Sequence, residues 1–457
     1  MKRAGLLGMR GQSVLAVVTA AAAMGVAACG SSSTSGGNPS GPVTLTVAVV
    51  DNPQLTDLQA MTTSVYEKMH SNVTVKFVTL TEDTLRQAVT QDVASHAGKY
   101  DVVAVGPYDV SSAYAPNGWL VDLQPFLNGD PSYNVSDLIS GIANSLKHKG
   151  DLYALPVYGE SSFVMYRKDM FQAAGLTMPQ NPTWDQIAAF AKTLNNPSQG
   201  VAGICLRGVN GWGENLAALD TVINAFGGSW FDSSWNAQLT SSADTSAVNF
   251  YVNLVRQYGE PGAANDGFTE CNNAYNQGKA AMWYDATVGA SNLTGTAATN
   301  SGYAYAPIEN TSLAHTGWLW SWALAVESAS KNATAAEQFI TWATSQQYIQ
   351  AIAQDMGASH IPPGTRTSTY SLPTYQQIAS AYAPLVLTSI NDADISRCCV
   401  NPVPYSGIQY VGIPQFETLG DQVSQQIQSA IAGTESVAQA LQTSQSLAQT
   451  VGNSLKG

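Results

Sequence analysis

Between residues 43 and 105 the chain alternates two kinds of segment, and this alternation limits the possible folds more than any other feature. Residues 43–50 (Val-Thr-Leu-Thr-Val-Ala-Val-Val) are a β-branched apolar run that stops at Asp51-Asn52-Pro53. Leu55, Leu58, Met61, Val65 and Met69 then recur at helical spacing, which predicts an amphipathic helix over 54–70. The same reading predicts a strand at 73–79, a helix at 82–97 and an almost wholly apolar strand at 100–105. Apolar strands separated by helices indicate an α/β protein with a parallel sheet covered on both faces. Ligands of such sheets bind beyond the carboxyl ends of the strands. That rule points to Asp51 and Asn52 after the first strand and to Tyr108 and Asp109 after the third.

Further along, a strand is predicted at 152–158. Thr183 reads as the N-cap of a helix whose first turn holds Trp184 and Asp185 and whose buried face carries Ile187, Phe190, Ala191 and Leu194. Residues 244–258 and 334–353 read as helices, and no repeat of fixed period stands out.

The first 42 residues have a different character. Lys2, Arg3 and Arg10 precede an apolar stretch over 14–28, and Val26-Ala27-Ala28-Cys29 runs directly into Gly30-Ser31-Ser32-Ser33. A charged start, a short alanine-rich run and small residues at a cleavage point describe an export signal over 1–28, too short to span a bilayer securely. The arrangement resembles the bacterial lipobox, which implies that Cys29 is acylated and tethers the chain. Residues 29–42, rich in Gly, Ser, Thr, Pro and Asn, then serve as a flexible leash. An ordinary cleaved signal with an incidental cysteine is the plainer alternative.

About 415 residues follow, too many for one simple core and typical of two lobes. Ten Trp, twenty Tyr and eleven Phe supply ample apolar interior, which excludes a disordered chain. The formal charge is −13, and three of the cations lie in the leader. So acidic a surface repels nucleic acid and anionic lipid. Membrane association would run only through the anchor.

Export makes disulfides possible for the four remaining cysteines. Cys205 and Cys271, both central, are the preferred pair. Adjacent Cys398 and Cys399 are read either as a vicinal bond or as thiols free or otherwise paired. Five His, none spaced with a cysteine in a ligand pattern, point to no metal site, and no cofactor is expected.

The segment from Leu155-Pro156-Val157-Tyr158-Gly159-Glu160 through Tyr166-Arg167-Lys168-Asp169-Met170-Phe171, with Ala174-Gly175-Leu176 and Pro182-Thr183-Trp184 after it, resembles extracellular solute-binding proteins of bacterial ABC importers. The likeness is to the carbohydrate-binding group that includes maltose-binding protein. Gln277-Gly278-Lys279-Ala280-Ala281-Met282 is similar to a signature of that group. Four further stretches resemble the branch that binds sugar alcohols such as mannitol and sorbitol. These are Arg207-Gly208 with Gly211-Trp212-Gly213-Glu214-Asn215, then Trp283-Tyr284-Asp285-Ala286-Thr287, Gly317-Trp318-Leu319-Trp320-Ser321-Trp322, and Gly407-Ile408-Gln409-Tyr410-Val411-Gly412. The resemblance covers 43–445. It implies a periplasmic-binding-protein-like fold: two α/β lobes with mixed parallel sheets, a ligand cleft between them and hinge strands crossing. It places one lobe at 43–155 and 308–333 and the other at 156–307 and 334–457, with crossings near 155–158 and 303–307. Arg397-Cys398-Cys399 departs from the polyol branch and puts the loop around it in doubt.

The chemistry of a polyhydroxylated ligand selects the site candidates. Its C–H surface suits aromatic planes, and its hydroxyls suit charged partners, because charge-assisted hydrogen bonds are the stronger kind. Glu160, at the lobe junction, takes the family's ligand carboxylate position, and Tyr158 lies beside it or faces the hinge. Arg207, Trp212, Glu214 and Asn215 crowd a glycine-rich stretch, with a helix cap as the alternative role for Glu214 and Asn215. Trp283 is expected as an aromatic platform and Asp285 as a hydroxyl acceptor. Trp318, Trp320 and Trp322 alternate and would share one face of a strand; Trp318 and then Trp320 are the expected ligand contacts. Tyr405 completes the set.

The resemblance implies a receptor that catalyses nothing, binds a small neutral polyol or sugar, works as a monomer and delivers its load to permease and ATPase subunits on separate chains. A receptor for a cyclic mono- or oligosaccharide is the alternative. A glycoside hydrolase, whose paired carboxyls sit about 5–10 Å apart, is more remote. No Gly-x-Ser-x-Gly elbow, phosphate-binding loop or His-Glu-x-x-His occurs.

Overall fold

The computed structural model describes residues 41–309 and 317–456. Cys29 and the predicted leader lie outside the described residues. Among the described residues, eight strands form the two main sheets, and Lys147–His148 and Asp151–Leu152 pair as a separate small hairpin. The first sheet contains β1 (Val43–Val50), β2 (Val73–Leu80), β3 (Val102–Val105), β4 (Leu155–Glu160) and β8 (Trp320–Val326), in the order β2-β1-β3-β8-β4. The second is built from β5 (Ser162–Arg167), β6 (Met282–Ala286) and β7 (Ser301–Tyr305), in the order β6-β5-β7.

β1 runs parallel to β2 and β3, as the strand-helix alternation predicted, while β8 lies antiparallel between β3 and β4. The smaller sheet is antiparallel throughout. Parallel contact enters it only through isolated bridges from Ala202 to Ala280 and from Cys205 to Trp283.

The helix after β1 begins at Pro53, with Asn52 as its cap: the side chain accepts from the Leu55 amide at 3.0 Å, and proline fills a position where no amide is needed. This helix, α1 (Pro53–Met61), does not stay regular to residue 70. It widens into a π-turn over Thr62–Tyr66 before a last short turn, and that shift leaves Met69 half exposed instead of on the buried face. α2 (Glu82–Ser95) covers the first sheet. α3 (Trp184–Leu194) opens with the predicted Thr183 cap, closed into a reciprocal box with Gln186.

The second sheet is flanked by α4 (Asn215–Ala225), α5 (Ser242–Tyr258) and α6 (Phe268–Asn276). A disulfide joins Cys205 to Cys271 on α6, with Cα atoms 5.5 Å apart. Cys398 and Cys399 are also bonded to each other.

The predicted helix over 334–353 is two helices, α7 (Ala333–Ala343) and α8 (Gln346–Asp355). Ser345 separates them by accepting from the Tyr348 amide, a local bond that competes with helix continuation. α7 packs on β1, β4 and β8, so the chain does not pass to the second lobe near 334. It returns later, with α9 (Phe416–Ala432) and α10 (Val437–Leu455) against α4 and α5. The first crossing falls between Glu160, paired to Trp320 in the first sheet, and Ser162, paired to Ala286 in the second. No described helix is long and apolar enough to cross a membrane.

Candidate functional site

A cavity of about 220 Å³ opens where the carboxyl ends of β1, β2 and β4 meet the second sheet and its loops. From the first lobe it is lined by Asp51, Asn52, Thr81, Glu82, Arg86, Tyr158 and Glu160, and from the second by Arg207, Trp212, Gly213, Glu214 and Phe268. Trp318, Trp320 and Trp322 form one wall, and Gln409 reaches in from the stretch before α9.

The indole wall follows from strand alternation, which sends Trp320 and Trp322 to the same face of β8. Their rings meet edge to face at 5.9 Å, and Trp212 meets Trp320 at 5.8 Å. Gly106, after β3, makes room for this: a Cβ there would overlap the Trp320 ring. Arg86 lies over Trp212, 4.0 Å from the ring centroid, and within 5.0 Å of Trp320.

Two arginines hold the charges of the site. Arg86 bonds Glu82 at 2.7 Å and Asp109 at 3.4 Å. Arg207 makes a two-pronged pair with Asp285 at 2.9 and 2.6 Å and donates to the Gly213 carbonyl at 2.9 Å. Glu214 and Glu82 lie 3.4 and 3.9 Å from its guanidinium. Five carboxylates, Glu82, Asp109, Glu160, Glu214 and Asp285, therefore surround two cations.

Glu160 is 5% exposed, and its Oε2 has no hydrogen-bond partner among the described residues. Burial pushes its carboxyl well above the usual range; Arg207 opposes the rise, while Asp285 and Glu82 add to it. The Trp318 indole is close enough to oppose it too, yet not aligned for a hydrogen bond. Glu214 is pushed up to about 8, chiefly by burial, against the pull of Arg207. Gln409 donates to the Leu319 carbonyl at 2.9 Å and leaves its own buried Oε1 without a partner. Asn52 donates to the Tyr158 hydroxyl at 2.9 Å.

Of the residues singled out in the sequence, Asp51, Asn52, Tyr158, Glu160, Arg207, Trp212, Glu214, Trp318 and Trp320 line the cavity. Six do not. Tyr108 turns inward against Trp212, Tyr410 and Phe416 and accepts from the Glu417 amide. Asp109 caps the Gly106 amide at 2.7 Å and pairs with Arg86. Asn215 clasps Ser424 and the Gly208 carbonyl. Trp283 is fully buried beside Phe268 and Tyr275, no platform for a ligand, and its indole donates to Asp285. Asp285 spends both oxygens on Arg207, not on a ligand hydroxyl. Tyr405 packs against Phe231 and Trp235, its hydroxyl accepting from the Trp230 amide.

Thr81, Glu82, Arg86 and Phe268 were missed, and Trp322 and Gln409, though within the quoted stretches, were not expected as ligand contacts. Thr81 and Glu82 were legible, since they follow β2 as Asp51 follows β1. Nothing in the sequence marked Phe268, which reaches the cavity only through tertiary packing, while Gln409 sat in a stretch that resembles the polyol branch without being singled out.

Two sheets flanking a charged, indole-lined cleft, with the chain crossing between them, define a two-lobed receptor for a small solute. The bacterial extracellular solute-binding protein profile matches residues 52–350. The mannitol-binding protein of Pseudomonas aeruginosa is 42% identical over 409 residues, 89% of this chain and 92% of the relative. A solute-binding protein of an Agrobacterium vitis ABC transporter, solved with bound D-mannitol, superposes with a TM-score of 0.87 at 43% identity, covering 90% of this chain and 99% of the other. One from Agrobacterium radiobacter, in complex with ribitol, has a TM-score of 0.79 at 24% identity, covering 91% of this chain and all (100%) of the other, and shares the fold. The chain belongs to the bacterial extracellular solute-binding protein family.

Proposed function

We propose that the protein captures a neutral sugar alcohol of the mannitol, sorbitol, arabitol or xylitol class between its lobes and hands it unaltered to a membrane permease driven by a separate ATPase. One observation carries the ligand class. An indole wall lines the same cavity as oxygens of Glu160 and Gln409 that have no partner among the described residues, in a site whose carboxylates outnumber its arginines. Indole planes cover C–H surface, the oxygens accept from hydroxyls, and the excess negative charge repels an anion. The D-mannitol bound to the structure at 43% identity, and the relative at 42% identity that is a mannitol-binding protein, support the same reading. A cavity of about 220 Å³ suits one small solute better than an oligosaccharide.

Closure follows from ligand contact with both lobes, which shifts the population toward the closed form. The first crossing between lobes lies at Glu160–Ser162 and the second near 307/308, and the mature chain works as a monomer held at the outer face of the membrane by lipid on Cys29. Thermal-shift screening against mannitol, sorbitol, arabitol, xylitol, glucose and maltose tests the ligand class. A true ligand at about a hundredfold over its Kd adds about 2.7 kcal/mol. Stabilisation by glucose or maltose and by no polyol would refute the proposal. Recovery of a chemically changed solute after incubation would refute the absence of catalysis, and loss of membrane retention in Cys29→Ala is the expected sign of the anchor.

A further inference from the structure

Glu160 ends β4, where the chain leaves the first sheet, and both cations of the cavity are committed elsewhere. Arg207 gives Nε and Nη2 to Asp285 and Nη1 to the Gly213 carbonyl. Arg86 gives Nη2 to Glu82 and Nη1 to Asp109, and lies over the indoles. Among the described residues no Lys or His lines the cavity. The groups that act on Glu160 come from every side: Tyr158 on its own strand, Trp318 ahead of β8, Arg207 and Asp285 from the second lobe, and Glu82 from α2. Among the described residues Glu160 forms an ion pair with none of them, and its buried Oε2 receives no hydrogen bond. An ionised carboxylate in that position would have no hydrogen-bond donor on its buried oxygen and no ion pair of its own among the described residues, whereas a neutral acid needs neither.

We infer that Glu160 meets its ligand as a neutral carboxylic acid, offering a single hydroxyl of the polyol both a donor and an acceptor. A hydroxyl is itself donor and acceptor, so the two groups can bond reciprocally, and a solute lacking that hydroxyl leaves a buried polar pair unmet. This deepens the proposed function and rests on the polyol reading.

Infrared difference spectroscopy on the intact, ligand-free protein at neutral pH reads the proton directly. The C=O stretch of a protonated carboxyl is expected in the wild type and missing from the Glu160→Gln variant. An unchanged spectrum in that region overturns the inference. Titration with D-mannitol reads its role. Wild-type affinity is expected to stay level between about pH 6 and about pH 7, below the value near 8 where Glu214 in the same cavity gives up its proton. Glu160→Gln, which keeps a donor beside an acceptor, is expected to lose about fivefold, and Glu160→Ala about a hundredfold. A Gln variant as weak as the Ala variant, or an affinity that climbs with pH, also overturns it. Should the wild type bind no polyol, the proposed function fails, while the infrared band still decides the state of Glu160.

Discussion

The two walls of the cleft each hold one buried arginine, and they hold it differently. Arg207 is fastened within the second lobe by the two-pronged Asp285 pair and the Gly213 carbonyl. Its position owes little to the other lobe, from which Glu82 approaches at 3.9 Å and the Trp318 ring at 6.0 Å. Arg86 is shared. Its ion-pair partners, Glu82 and Asp109, lie in the first lobe, yet the ring it covers most closely is Trp212 of the second. One arginine is preorganised before the lobes meet, and the other has its full surroundings only when they are together. A binding site can thus keep one rigid anchor and still use a second cation to sense closure.

The largest effect expected from this contrast is on stability. Asp285→Ala leaves Arg207 buried beside an empty place, a change that costs about 3–5 kcal/mol for a broken buried pair, visible as a fall in Tm by calorimetry. Asp109→Ala should cost less, because Arg86 keeps Glu82 and three indoles. Equal losses would show that the two arginines are held alike. Trp320→Ala should weaken polyol binding about tenfold by isothermal titration while the Arg207–Asp285 pair survives.

A smaller effect is on pH dependence. Glu214, raised to about 8, binds its proton more tightly folded than unfolded. The stability it lends is therefore complete below its unfolded value near 4.5 and is lost as pH rises through about 8. Tm should fall between mildly acidic and mildly alkaline buffer, and Glu214→Gln should flatten part of that slope. Asp220, raised to about 8 by burial and by Asp244, and Glu417, raised to about 7 by burial and by Asp109, add in the same direction. The smallest change belongs to Glu82→Gln, about 0.2–1 kcal/mol and weaker in high salt, because Glu82 is partly exposed and touches each arginine from the rim.

Much of the first sheet was readable from the chain. The apolar runs of β1 and β3 and the Asn52-Pro53 start of α1 carry their structure in local chemistry, and the strand-end rule led from them to Asp51 and Asn52. The same rule misled at Tyr108 and Asp109. After Gly106 the backbone coils directly into a helical turn, so those side chains fold under Trp212 and behind Arg86 instead of facing solvent. Trp283 and Trp318 show a second limit. Both follow short apolar or glycine-containing stretches and look equivalent as letters. β6 is fully buried, paired along its edge with β5 and covered by α6, whereas the stretch ahead of β8 opens onto the cleft, and only the packing of neighbours separates the two.

The order of strands and helices, the export-like leader, the Thr183 cap and the wealth of indoles belong to the sequence, because periodicity, capping and composition act between near neighbours. The choice of which carboxylate faces a ligand and which fastens an arginine belongs to the tertiary structure. Asp285 and Glu160 are both acids at strand ends. One lies within reach of a guanidinium 78 positions away in the chain and the other does not, and a buried charge takes its role from whatever stands within a few ångströms of it.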